Sequence, residues 1–171
     1  MKTFLVADTH FGHQGVCRFL REDGSKLRPW DNYADMDREL VARWNAKVGP
    51  KDKVYHLGDV LINRRAFGVL NELNGDKVLI RGNHDIFKDA EYTPFFRSIR
   101  GSHVLNNMLL THIPVHPDSM GRFTVNLHGH LHYRSVMLGD TPDPRYLCLS
   151  VEHTDYAPID FNEVLSRVAQ R

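Results

Sequence analysis

Five short apolar runs in this chain stop in residues of the same chemistry, and that repetition limits what the chain can fold into. Thr3–Ala7 runs into Asp8-Thr9-His10-Phe11-Gly12-His13, and Lys53–Leu57 runs into Gly58-Asp59. Lys77–Ile80 runs into Arg81-Gly82-Asn83-His84-Asp85, Met108–Thr111 into His112-Ile113-Pro114, and Phe123–Leu127 into His128-Gly129-His130-Leu131-His132. Short apolar runs bounded by turn residues read as buried strands. A strand that stops in Gly-Asn is an ordinary turn. Strands that stop repeatedly in carboxylate, amide and imidazole gain nothing in packing. In an open α/β sheet, ligands sit beyond the carboxyl ends of the strands. If these strands align, their polar ends gather at one rim.

The stretches between the runs supply the rest of the frame. Met36, Leu40, Val41 and Trp44 mark an amphipathic helix over Tyr33–Val48, capped by Asp31 or Asn32 and closed by Gly49-Pro50. The pattern predicts a short helix around Val16–Leu20 followed by a surface loop to Asn32. It predicts a helix over Arg64–Leu73, stopped by Asn74-Gly75-Asp76, and a helical piece near Lys88–Tyr92. One or two strands run through Phe95–Leu105, with a turn at Asn106-Asn107, a last strand over Tyr146–Val151 and a helix over Phe161–Val168. Early strand–helix alternation argues an α/β fold with a parallel sheet. The strand-rich later half makes two mixed sheets, packed face to face with helices outside, the expected architecture.

The chain has 171 residues, with no repeat or linker, which suits one domain over residues 1–171. The formal net charge of +1 sets up no strong field for nucleic acid or an anionic membrane. A basic, aromatic-interleaved face is also missing, which speaks against a nuclease. The run Met1–Ala7 is too short for a signal-peptide core or a membrane span. Cys17 and Cys148 are too few and too far apart for a disulfide framework or a thiolate zinc site. These features predict a cytoplasmic protein that does not engage membranes, a monomer or a homodimer, with Val136–Leu138 or the C-terminal segment as candidate contact surfaces.

Eleven histidines is the unusual count, and it asks for metal binding or acid–base chemistry. Taken singly, Asp8 is a helix cap, Gly58-Asp59 a turn and His112 a satisfied buried histidine. As a set, Asp8, His10, Asp59, Asn83, His112, His130 and His132 offer oxygen and imidazole ligands for Mn, Fe, Zn or Ni. One catalytic metal usually takes three protein ligands plus water. This set is too large for one open site and suits two metals sharing a carboxylate, with His84 left for proton transfer. Three histidines alternate at 128, 130 and 132, of which two are needed. His128 reads as structural, His56 as core, and His103, His116 and His153 as surface or loop residues.

Asp8-x-His10, Gly58-Asp59, Gly82-Asn83-His84-Asp85, His112 and Gly129-His130-x-His132, in that order, resemble the five blocks of the calcineurin-like metallophosphoesterase superfamily. The resemblance implies a four-layer α/β/β/α sandwich around two divalent metal ions, Mn foremost, with Fe, Ni or Zn as alternatives. It implies that Asp8, His10, Asp59 and His132 hold one metal and that Asp59, Asn83, His112 and His130 hold the other, Asp59 bridging. His84 would protonate the leaving oxygen or stabilise the transition state, and Asp85 would orient His84.

The expected reaction is hydrolysis of a small or nucleotide-like phosphodiester by a metal-bridging hydroxide. The alternatives are a phosphomonoesterase, a nucleotide pyrophosphatase, a nuclease, or a metal-binding scaffold without chemistry. His13, Arg18 and Arg81 are candidate substrate contacts. Arg18, Arg21, Lys26 and Arg28 form the one basic concentration, either a solvated face or a phosphate-binding rim. Phe11, Phe19, Trp30 and Tyr33 read as core closers before base-stacking residues.

Overall fold

A computed structural model describes residues 1–171. The strands are β1 (Thr3–Val6), β2 (Lys53–His56), β3 (Asp76–Ile80), β4 (Ser98–Arg100), β5 (His103–Leu105) and β6 (Met108–Leu110). They continue as β7 (Asn126–His128), β8 (Met137–Leu138), β9 (Thr141–Pro142), β10 (Tyr146–Cys148) and β11 (Ile159–Asp160). One sheet has the order β11-β1-β2-β3-β4 and the other β10-β7-β6-β5, with β8 and β9 forming a separate hairpin. Both sheets are mixed. The first is parallel except where β11 joins β1, and the second is parallel except between β5 and β6. The architecture is α/β, two mixed sheets flanked by helices.

The strands of the first sheet read as continuous apolar runs because both of their faces are covered. Side chains alternate between faces at period two. Phe4, Val6, Val54 and Leu79 enter one buried cluster together with Met36, Leu40 and Trp44 of helix α1 (Tyr33–Lys47). Leu5, Ala7, Tyr55, Leu57, Val78 and Ile80 enter the other, against Met108, Leu110, Leu127 and Leu147 of the second sheet. Helix α3 (Phe161–Ala169, following the short α2 at Asp89–Tyr92) adds Val164 to that second cluster. On its other face, β7 presents Asn126. Its amide donates to Leu109 O and Thr111 Oγ1 (2.9 Å each), and its oxygen accepts from Val115 N (3.0 Å).

Asn32 is the cap of α1, its side chain accepting from Asp35 N (2.9 Å). Trp44 anchors the same helix by donating from Nε1 to Asn74 O (2.9 Å). Asp37, almost buried on α1, accepts the Gly12 amide through both carboxylate oxygens (3.1 and 2.9 Å), tying α1 to the loop after β1. Burial pushes the Asp37 carboxyl up to about 6.

Several predicted elements differ. The helix expected at Val16–Leu20 is one 3₁₀ turn over Gly15–Cys17, because Leu20 instead bridges Lys26 across a reversal that includes Gly24 at φ +81°. Arg64–Glu72 is a 3₁₀ helix, capped by Asn63. The last strand stops at Cys148. Ser150 then bridges Ala7 of the first sheet, and Val151–His153 turns away. β8, β9 and β11 are two residues long, too short to carry a periodicity that a sequence pattern shows. No helix is long and apolar enough to cross a membrane.

Candidate metal centre

Parallel pairing in register brings the ends of β1, β2 and β3 to one edge, and backbone bonds continue past them. Asp8 N donates to Gly58 O (3.0 Å) and His10 N to Asp59 O (3.1 Å). In the second sheet Gly129 N donates to His112 O (3.0 Å) and Leu149 N to His128 O (2.7 Å), and the bond from Ala7 N to Leu149 O (3.0 Å) joins the two sheets. Asp8, His10, Asp59, His130 and His132 all sit in the left-handed region, at φ 58°, 50°, 55°, 70° and 52°. For residues with a side chain this conformation is disfavoured, and such strain persists only where the surroundings impose it. The chain therefore turns sharply beyond β1, β2 and β7, where the functional side chains begin.

Two glycines make the close approach possible. A Cβ on Gly82 would lie 2.5 Å from Asp59 N and collide with the Asp59 carboxylate. A Cβ on Gly129 would lie 2.5 Å from Asp8 Oδ2.

The candidate ligands form two adjoining groups. In Asp8, His10 and His132 one ligand atom from each lies within 4.8 Å of the others, and the same holds for Asp59, His112 and His130. Asp59 stands between the groups. Its Oδ2 lies 3.6 Å from His10 Nε2 and 3.3 Å from His112 Nε2, while its Oδ1 accepts from His84 N (2.8 Å). Asn83 belongs to the second group, its Oδ1 lying 2.9 Å from both His112 Nε2 and His130 Nδ1.

The outward bonds of these side chains fix which atoms face inward. Asp8 Oδ2 accepts from Ser150 Oγ (2.6 Å) and His130 N (2.9 Å), leaving Oδ1 free. His112 Nδ1 bonds Leu57 O (2.8 Å), and His132 Nδ1 bonds Glu152 Oε1 (3.1 Å). Asp8 Oδ1 and both nitrogens of His10 are buried with no hydrogen-bond partner, and Asp8 Oδ1 lies 3.8 Å from His10 Nε2. Unpaired buried acceptors are costly in a folded protein. A divalent cation between Asp8 Oδ1 and His10 Nε2 would satisfy both, and with the second group beside it the donor set fits two such ions.

The protonation balance has the same sense. Burial pushes the Asp8 carboxyl up to about 6 and, with Arg28 nearby, holds His10 well below the ordinary imidazole range. Burial pulls His112 down, but hydrogen bonding to Asp59 and the Asp8 charge override it and raise it. His132 is raised in the same way by Glu152 against its burial. His130, by contrast, is lowered by its burial, so the carboxylates raise only His112 and His132 of the four candidate imidazoles.

The other predicted residues divide. The His84 ring lies 5.6 Å, centroid to centroid, from that of His10, at the mouth of the first group. Asp85 does not orient it. Asp85 Oδ2 accepts from Asp59 N (2.9 Å) and Gly82 N (2.8 Å), and Oδ1 from Val60 N (2.9 Å), so the carboxylate staples two strand-end loops together. Arg81 is equally occupied, bonding Asp85 O (2.8 Å), Phe87 O and the Asp89 carboxylate. It still lines a cavity of about 470 Å³ with Asn83, Gly101, His112 and Ile113, beside the second group. His13 lies on the other side, its ring 5.6 Å from that of His10, with Nδ1 accepting from Gly15 N (3.0 Å). Arg18 is exposed.

The basic concentration around residues 18–28 is not one rim. Arg28 is fully buried. It bonds Thr9 O (2.8 Å) and Asp8 O, and pairs through Nε with Glu152 Oε1 (3.0 Å), whose side chain is also fully buried. Burial works to raise the Glu152 carboxyl, but Arg28 and His132 hold it down at about 2. The sequence does not flag Glu152, because it follows a strand in which nothing else signals chemistry and an acid twenty to twenty-two positions beyond the histidine pair has no spacing rule. His103 is not a loop residue. It lies in β5, its Nε2 3.2 Å from Tyr55 Oη. Phe11 is core and Trp30 packs on it, whereas Phe19 and Tyr33 are exposed.

Residues 1–164 match the family model described as calcineurin-like phosphoesterase. The chain is 31% identical to an uncharacterized protein of Methanocaldococcus jannaschii, covering 98% of this chain and 91% of that protein. It is 29% identical to the gene 66 protein of Mycobacterium phage D29, covering 92% of each. Its fold resembles the crystal structure of a protein of unknown function from Aquifex aeolicus, with TM-score 0.71, 21% identity, and coverage of 96% and 98% of the two chains.

Proposed function

The chain belongs to the calcineurin-like phosphoesterase family, and from that premise we propose that its single domain is a phosphodiesterase with Asp8, His10, Asp59 and His132 at one metal and Asp59, Asn83, His112 and His130 at the other. The observation that carries this reading is the position of Asp59 Oδ2 between His10 Nε2 and His112 Nε2, at 3.6 and 3.3 Å. Two divalent ions, manganese in our reading, would supply an activated water and neutralise charge on the phosphoryl group.

The chain's own residues do the rest. His84, at the mouth of the first group, delivers a proton to the leaving oxygen as the phosphorus–oxygen bond breaks. His13 has Nδ1 engaged as an acceptor, so its neutral ring carries the proton on Nε2 and can donate it to a phosphoryl oxygen. Asp85 holds the two strand-end loops at a fixed separation. The preference for a diester rests on a contact on each side, with His13 beside the first group and the cavity bounded by Arg81 and Ile113 beside the second. A monoester needs only one.

A panel of 2′,3′- and 3′,5′-cyclic nucleotides, dinucleoside polyphosphates and p-nitrophenyl mono- and diesters, run with Mn, Fe, Ni and Zn, tests the reading. Diester turnover with two bound metals per chain is the expected result. No turnover on any member at full metal occupancy would leave only a metal-binding scaffold. Asp59→Asn should lower occupancy at both metals, and elemental analysis showing two retained metals would remove the bridging role.

A further inference from the structure

We propose that Phe19 is a stacking platform for the base of a nucleotide phosphoester held at the dinuclear centre, so that the substrate class contains a nucleoside. The proposal rests on the phosphoesterase reading above and adds the chemistry of one substituent.

Phe19 is 52% exposed, in the segment between the first metal block and α1. Single exposed hydrophobic side chains are common and mean little alone. Two features separate this one. It lies two ring contacts from a candidate metal ligand: the His13 ring is 5.6 Å from His10, and Phe19 is 5.9 Å from His13 in an edge-to-face arrangement at 81°. A substituent of a metal-bound phosphate that runs along His13 would reach the Phe19 ring.

The ring is also carried on fixed backbone. Phe19 N donates to Gly15 O (3.0 Å), Phe19 O accepts from Leu27 N (2.8 Å), and Arg21 N donates to Ser25 O (2.7 Å). Leu20 bridges Lys26, and Glu22 N donates to Tyr133 Oη (3.2 Å), tying the reversal to the loop after His132. An aromatic ring so held offers a face at little cost in side-chain ordering.

Tyr33, at the start of α1, is also exposed but shares no ring contact with His13; the other neighbouring aromatic rings are taken. Phe11 is buried, Trp30 packs edge-on against Tyr156 at 4.9 Å, and Tyr133 is covered by the guanidinium groups of Arg21 and Arg134 at 5.4 and 5.6 Å. Base–aromatic stacking depends on a π face and tolerates any base. The site accordingly selects for a nucleoside without selecting which one.

The test uses the metal-loaded protein with 2′,3′-cyclic AMP and with glycerophosphocholine, a diester without an aromatic ring. Phe19→Ala and Phe19→Leu should raise KM for the cyclic nucleotide about tenfold, the loss falling on KM rather than kcat, and Phe19→Trp should restore it. Equal effects on the two diesters, or no effect on either, overturn the proposal and leave the exposed Phe19–Leu20 pair as a protein- or lipid-facing patch. Binding is read separately from turnover. Adenosine monophosphate should quench the added tryptophan of Phe19→Trp beyond any change in wild type, and the absence of that quenching also overturns the proposal. If wild type hydrolyses neither diester with its metals bound, the wider substrate panel above decides the phosphoesterase reading, and the quenching still decides the stacking.

Discussion

The Asp85 carboxylate accepts three backbone amides, those of Asp59, Val60 and Gly82, while its neighbour His84 stands with its ring near His10. Two adjacent polar residues therefore separate into a chemical and a structural one, and substitution distinguishes them. His84→Ala should keep both metals and lose about 10²–10⁴ in kcat. Elemental analysis and turnover of an activated diester measure this, and wild-type turnover would remove the acid role. Asp85→Ala leaves three amides without their acceptor in a site where water is scarce. It should destabilise the fold by about 2–5 kcal/mol, read as a shift of the urea midpoint. Asp85→Asn, with a single accepting oxygen, should recover only part of that loss.

At the scale of elements, the loops beyond the strand ends impose left-handed backbone on five candidate ligands, and buried polar groups hold them there. Glu152 is the main such group, since it bonds His132 Nδ1 and pairs with buried Arg28, which in turn bonds the carbonyls of Asp8 and Thr9. This one network fixes the ring of one ligand and the backbone of another. Glu152→Gln should weaken metal binding about 10–100-fold, measured by competition with a chelating dye. Metal affinity equal to wild type would show that the His132 ring is held by packing alone. Breaking the pair from the other side, Arg28→Ala leaves a buried carboxylate unpaired and should cost about 3–5 kcal/mol of stability in thermal unfolding.

Across the whole molecule, two histidines outside the candidate ligand set are buried as neutral groups. Burial lowers His56 to about 3 and His128 to about 4. His56 donates through Nε2 to Thr9 Oγ1 (3.0 Å), whose own hydroxyl donates to Val60 O (2.9 Å). Below pH 6.5 the unfolded chain takes up protons at these positions that the folded chain refuses. Stability should therefore fall as pH drops from about 6.5 toward 4, even in chelator. The urea midpoint against pH should be steeper for wild type than for His56→Gln by up to one proton, and parallel curves would show that His56 is already protonated in the fold.

The sequence by itself determined the five polar strand ends, the α1 cap region and the residue types of a two-metal centre. Those follow from periodicity and side-chain chemistry, which a local reading captures. Only the tertiary structure decided that Asp59 Oδ2 lies between His10 and His112, because that depends on the register of β1 against β2 and on a second sheet folded onto the first. It also decided that Arg28 is buried against Glu152, 124 positions away, rather than lying on a basic rim with Arg18. Asp85 faces backbone amides and Phe19 faces solvent for the same reason. Burial and pairing are properties of distant chain segments meeting, and no local pattern of residues encodes them.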